Sequence, residues 1–152
     1  MITIATSIRY GNYKHLFNKA VGVERMIQKY WNDFRTKFDF DTRVKFLIRP
    51  IRGNTNGIAY DTDNRIEIDP CRDYVQILET IAHELVHSEQ TKQNRLSRTG
   101  RNRERVYHGQ VYHTQVGNYT EYLNRPWEKE ARERAAAFIQ ELSDNGTLTL
   151  KK

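Results

Sequence analysis

From residue 13 to about 37, the apolar residues Leu16, Ala20, Val23, Ile27, Tyr30 and Phe34 recur every three or four positions. This spacing predicts one long amphipathic helix that packs on a core, with His15 near its start on the surface. Before it, Ile2, Ile4 and Ile8 alternate, which suits an edge strand broken at Gly11-Asn12. Over 43–49 the alternation of Val44, Phe46 and Ile48 with polar neighbours predicts a half-buried strand stopped by Pro50. After the turn cluster Gly53-Asn54-Thr55-Asn56-Gly57 come two short runs, Ile58-Ala59-Tyr60 and Arg65-Ile66-Glu67-Ile68. Asp61-Thr62-Asp63-Asn64 joins them, so they read as a hairpin.

Leu78, Ile81, Ala82 and Leu85 form the next apolar stripe at helical spacing. Asp73, with Gln76 three residues later, resembles a capping box that starts this helix near Tyr74. Further on, residues 105–113 alternate around Gly109 and predict another hairpin. The last helix begins at Arg125-Pro126-Trp127, where proline suits the first turn, and runs to about Leu142. Trp127, Ala131, Ala135, Phe138 and Leu142 make its buried stripe, and Asn145-Gly146 supplies the stop. Leu148 and the residues after it read as a short strand or a frayed tail.

Composition narrows the setting. A chain of 152 residues suits a single domain, 1–152, able to bury about two thirds of its unfolded surface without disulfides. Cys71 is alone, the N-terminus lacks a signal-peptide pattern, and no run approaches the ~18 apolar residues of a membrane span. A cytoplasmic, reducing environment is therefore expected. The balance of 25 Lys+Arg against 19 Asp+Glu gives a net charge of +6, which favours polyanionic partners in a general way. Lys92, Arg95, Arg98, Arg101, Arg103 and Arg105 concentrate this charge between the two hairpins. Such a stretch is either a solvated, mobile loop or a basic rim that attracts an acidic substrate or nucleic-acid phosphate.

The chemistry centres on His83-Glu84-Leu85-Val86-His87. On a helix, residues four apart stand one turn from each other on the same face, so both imidazoles can hold one metal ion with Glu84 beside it. The two histidines lie outside the apolar stripe, which argues against their being core residues. Zinc held by neutral imidazoles acidifies water, and a neighbouring carboxylate takes the proton. Hydrolytic zinc sites usually have three protein ligands, and His108, His113, Glu128 and Glu130 are the candidates for the third. On a helical wheel Glu128 lies about 60° from the centre of the last helix's stripe and Glu130 about 100°, so Glu128 is the acid best placed to look inward.

These stretches, His83-Glu84-Leu85-Val86-His87 and Pro126-Trp127-Glu128-Lys129-Glu130-Ala131, together resemble the gluzincin group of zinc metallopeptidases. In that group HExxH is completed by a Glu opening a later ExxA helix. The chain is most similar to small members such as ImmA/IrrE-like peptidases and compact phage-encoded metallopeptidase-like proteins. The resemblance spans about 43–142. It implies zinc ligands His83, His87 and Glu128, with Glu84 as general base and later proton donor. It also implies an α+β zincin-like fold: a small, mostly antiparallel sheet packed on the N-terminal helix, the active-site helix and the helix carrying the third ligand. A peptide substrate would add to an edge strand, 65–69. The chain departs from the group at Arg132, where many members have an Asp that orients a histidine ligand, so that orientation must come from elsewhere.

The expected activity is hydrolysis of internal peptide bonds in a protein substrate. Tyr107, His108, Tyr112, His113, Tyr119 and Tyr122 are candidate donors to the oxyanion. Two alternatives share the zinc. His108-Gly109 with Tyr112 resembles the third-histidine region of SprT-like proteases, which act on protein bound to DNA, and the adjacent arginines would then meet phosphate. A binding module without turnover is the other, although a purely structural site does not require Glu84.

Overall fold

The computed structural model describes residues 2–6 and 13–149. Ile8, the Gly11-Asn12 break and residues 150–152 lie outside the described residues. Among the described residues seven strands and five helices make an α+β fold. Strand β1 (Thr3–Thr6) precedes helices α1 (Tyr13–Lys29) and α2 (Trp31–Lys37), followed by β2 (Lys45–Ile48), β3 (Gly57–Tyr60) and β4 (Arg65–Ile68). Helix α3 (Tyr74–Lys92) leads to β5 (Leu96–Arg98), β6 (Glu104–Tyr107) and β7 (Gln110–His113). Helices α4 (Tyr119–Asn124) and α5 (Pro126–Asp144) complete the described chain.

The expected long first helix is bent. Tyr30, at φ −98° and ψ 9°, separates α1 from α2. Backbone bonds still run through the bend, from Tyr30 N to Met26 O and from Phe34 N to Tyr30 O. The apolar stripe continues across it, with Ile27, Tyr30 and Phe34 all buried. The bend also seats the Trp31 ring edge-on against Phe40 and Phe46, at 5.4 and 6.2 Å between centroids. Stripe periodicity reports a continuous buried face and is nearly blind to a one-residue bend in the axis.

The main sheet has the order β1-β2-β4-β3, with β1-β2 and β2-β4 parallel and β3-β4 antiparallel. The expectation of a mostly antiparallel sheet therefore fails for this sheet. The cause is connectivity: the α1–α2 crossover returns β2 parallel to β1, and β3 pairs on the far side of β4, leaving β4 parallel to β2. Alternation marks a strand but does not name its neighbour. A second correction follows, because segment 65–69 contains the interior strand β4 and the edge beside α3 is β3. Flanked on both sides, β4 buries Ile66 and Ile68 in the core and Glu67 on its other face, where Arg49 binds that carboxylate through two bonds of 2.7 and 3.0 Å.

The hairpin expected over 105–113 forms as β6 and β7, and β5 extends it to a three-stranded antiparallel sheet. His108 (φ 49°) and Gly109 (φ 79°) make the two-residue turn, both left-handed as the twist of such hairpins favours. Tyr107 and Tyr112 pack their rings on Trp127, which fixes this sheet to the start of α5. Helices α3 and α5 lie against each other over one hydrophobic cluster shared with α1, α2, β2 and β4. At the chain's end Gly146 adopts φ 78° and Leu148 folds back, its N–H donating to Leu142 O at 3.0 Å. The tail thus caps α5, and its described part forms no strand. Among the described residues no helix is long and apolar enough to cross a membrane.

Candidate metal centre

Helix α3 starts where the sequence places it. Asp73 is the N-cap and accepts a bond from Gln76 N at 2.9 Å. From there Ile77, Leu78, Ile81, Ala82 and Leu85 enter the core, which sets the helix's rotation. His83 and His87 consequently face the first turn of α5. Pro126 and the N-cap Arg125 fix that turn so that Trp127 and Glu128 point inward.

Three donor atoms converge there. Glu128 Oε2 is 3.1 Å from His83 Nε2 and 3.1 Å from His87 Nε2, and the two Nε2 atoms are 3.2 Å apart. Among the described residues His83, His87 and Glu128 are the group able to hold a metal ion. Of the other candidates, Glu130 instead joins Arg95, Arg134 and Tyr107. His108 sits at the exposed tip of the β6–β7 turn with its ring against Tyr107. His113 is exposed, with Nδ1 3.5 Å from Glu104. Neither histidine reaches the cluster.

The tautomer of His87 is fixed by a residue that sequence reasoning did not identify. His87 Nδ1 lies 2.9 Å from Gln90 Oε1, an acceptor, so Nδ1 carries a hydrogen and Nε2, which faces Glu128, is the nitrogen that would give up its proton to take a metal. The amide cannot be reversed without loss, because Gln90 Nε2 donates to Trp127 O at 3.1 Å. Gln90 is wholly buried and ties the orientation of His87 on α3 to Trp127, the residue preceding Glu128 on α5. This is the orienting group the sequence left unnamed. Its signal was its place seven residues after His83 and three after His87, on the same helical face. Arg132 plays no such part and donates to Leu123 O.

Glu84 is buried between α3 and the edge strand β3. Its fit depends on Gly57, where a Cβ would stand 2.7 Å from Thr80 Cγ2 and 3.2 Å from Glu84 Cγ. Only glycine lets β3 pass this close to the helix. Tyr122, from α4, donates its hydroxyl to Glu128 Oε2 at 3.1 Å, and of the six candidate donors it and Tyr119 line the cleft that holds the cluster. All these groups line a cleft of about 1350 Å3 bounded by β3, α3, β5, β6 and the α4–α5 junction.

The proton affinities express one electrostatic fact. Burial raises that of Glu84. Burial opposes charge on His87 as well, yet Glu128, Glu84 and Gln90 overcome it and raise its pKa to about 9. Glu128 is pulled below the ordinary carboxylate range by the two histidines, against the effect of its own burial. Two buried carboxylates beside two imidazoles thus favour positive charge at this point, whether as a proton on His87 or as a cation.

Compared with protein-family models, curated proteins and solved structures, the chain has no match among them. The functional reading therefore rests on the geometry alone. Of the basic stretch, Lys92 pairs with Asp39, Arg95 with Glu89 and Glu130, and Arg98 with Asp61. These three of its six basic residues are thus paired within the fold.

Proposed function

We propose that the protein is a zinc-dependent peptidase that cleaves internal peptide bonds, with His83, His87 and Glu128 as the metal ligands. The observation that carries this reading is the convergence of two imidazole nitrogens and one carboxylate oxygen on a single point, with a second buried carboxylate, Glu84, beside them. That donor set fits zinc, and three protein ligands leave a position for a reactant. Zinc in such a site supplies a Lewis acid that acidifies water and polarises a carbonyl.

The chain's own residues account for the remaining work. Glu84, with its proton affinity raised by burial, takes the proton of the attacking water and passes it to the departing amine. The Tyr122 hydroxyl, which donates to Glu128, stands at the cluster's edge, from where it would turn its proton to the oxygen on which charge develops. Strand β3 offers its unpaired edge along the cleft, so an extended peptide hydrogen-bonds there as an added strand with its scissile bond over the centre. Gln90 holds His87 in the ligating tautomer.

Metal content by plasma mass spectrometry, paired with digestion of a peptide library, tests the proposal. Wild type and Glu84→Gln should each carry one zinc, and only wild type should cut. A protein that holds zinc but cleaves nothing is a binding module. Absence of metal after dialysis against zinc would end the reading altogether.

A further inference from the structure

The wall of the cleft opposite β3 carries an imbalance of charge. Arg98 on β5 and Arg105 on β6 are direct cross-strand partners, and Arg125 approaches them from the start of α5. Like charges placed opposite each other destabilise a sheet unless each is neutralised. Arg98 is neutralised by Asp61, Nε to Oδ2 at 3.2 Å. Arg125 is neutralised by Glu121, with bonds of 2.8 and 3.1 Å, and packs on the Tyr122 ring at 5.2 Å. Arg105 differs from both. Among the described residues it meets no carboxylate within ion-pair distance, and its one hydrogen bond runs from Nη1 to Glu104 O at 3.0 Å. Burial first, then Arg98 and Arg125, weakens its hold on its proton, and Asp61 only partly compensates. A half-buried guanidinium with no acidic partner costs stability that nothing inside the fold returns. An anion entering the cleft would return it.

We infer that Arg105 binds a carboxylate of the substrate, so that the cleft selects peptides carrying an acidic group near the scissile bond. This rests on the peptidase reading only in taking the occupant to be a peptide. Two observations favour a carboxylate over a nucleic-acid backbone. The basic residues of the cleft form no continuous track, since Arg65, Lys92, Arg98 and Arg125 are each paired with a carboxylate and Arg132 donates to Leu123 O. The same lining carries Asp41, Asp73 and Glu79, which repel a chain of phosphates but tolerate a peptide with a single acid. The planar fork of Arg105 suits two-point binding of one carboxylate. That carboxylate belongs to an Asp or Glu side chain or to the peptide's own C-terminus.

The test is anisotropy of zinc-loaded Glu84→Gln protein with ten-residue peptide pools carrying an uncharged dye. The pools are randomised except for one central Glu or Gln, and each is made with a free and an amidated C-terminus. The Glu pool should bind about tenfold more tightly than the Gln pool, with the difference shrinking as salt rises. Arg105→Gln should abolish the preference, and Arg105→Lys should restore part of it. Thermal melts of both variants confirm that they fold, and the lysine variant alone decides if the glutamine variant does not. Preference for the free over the amidated end, without one for Glu, assigns the same guanidinium to the terminal carboxylate. Equal affinities throughout, or a preference that survives in folded Arg105→Gln, would overturn the inference. So would a single-stranded oligonucleotide that outcompetes the Glu pool through Arg105. If acidic preference persists while protein with Glu84 intact cuts nothing, the peptidase reading fails and the assignment of Arg105 stands.

Discussion

Two charged clusters bridge α3 and α5 only two residues apart along each helix, and they solve the burial of carboxylates in opposite ways. In one, Glu89 and Glu130 meet Arg95 and Arg134, two negative charges against two permanent positive ones, with the Tyr107 hydroxyl donating to Glu130. In the other, Glu84 and Glu128 meet two histidines that are not charged by default. The first cluster is complete and fastens the helices. The second is electrostatically unfinished, which a protein tolerates where a cation or a proton has work to do there. The same pair of helices thus yields a clamp or a site, depending on whether guanidinium or imidazole faces the acid.

The comparison breaks most decisively at the ligands. His87→Ala or Glu128→Ala should lower zinc from one per chain to a trace and abolish cleavage, as metal analysis beside a peptide assay would reveal. Next in size is Glu84→Gln, which should retain zinc while kcat falls by about 10² to 10⁴, the usual worth of a positioned base. Gln90→Ala should weaken zinc affinity by about 10- to 100-fold, read by competition with a chelator, with one zinc still bound at saturation. An unchanged affinity would mean that Gln90 does not orient His87.

The smallest effect on the site should come from the clamp. Arg134→Met should cost about 1–3 kcal/mol of stability in urea unfolding while zinc at saturation stays at one per chain. The clamp also predicts a pH dependence. Burial tends to raise Glu130's pKa, but bonds from Arg95, Tyr107 and Arg134 hold it at about 2, below its ordinary 4.5. A depressed folded-state pKa stabilises the protein above the unfolded value, and that stability drains away as pH falls through the folded one. The melting temperature should therefore drop between about pH 4.5 and 2, less steeply in Glu130→Gln.

Much of this was legible one element at a time. The stripe 78–85 with Asp73 at its head gave α3 its start and its rotation, and from that rotation the shared face of His83 and His87 followed. The wheel of α5 favoured Glu128 over Glu130, and the two acids separated as the wheel suggested, one to the histidines and the other to arginines. The hairpins over 58–68 and 105–113 were equally plain, since turn chemistry and alternation are local properties.

What the sequence by itself determined, then, was which residues face inward on each element, because burial imposes a period of 2 or 3.6 that can be read without knowing the partner. Tertiary structure alone decided the rest. It made the main sheet largely parallel, put β3 rather than β4 at the edge, bent the first helix at Tyr30, and aimed Gln90 at both His87 and Trp127. Among the described residues it also left Arg105 without an acid while Arg98 and Arg125 beside it each found one. Each of these concerns a pairing between segments distant in the chain, and a pairing free energy belongs to two surfaces at once, so neither surface's own sequence records it.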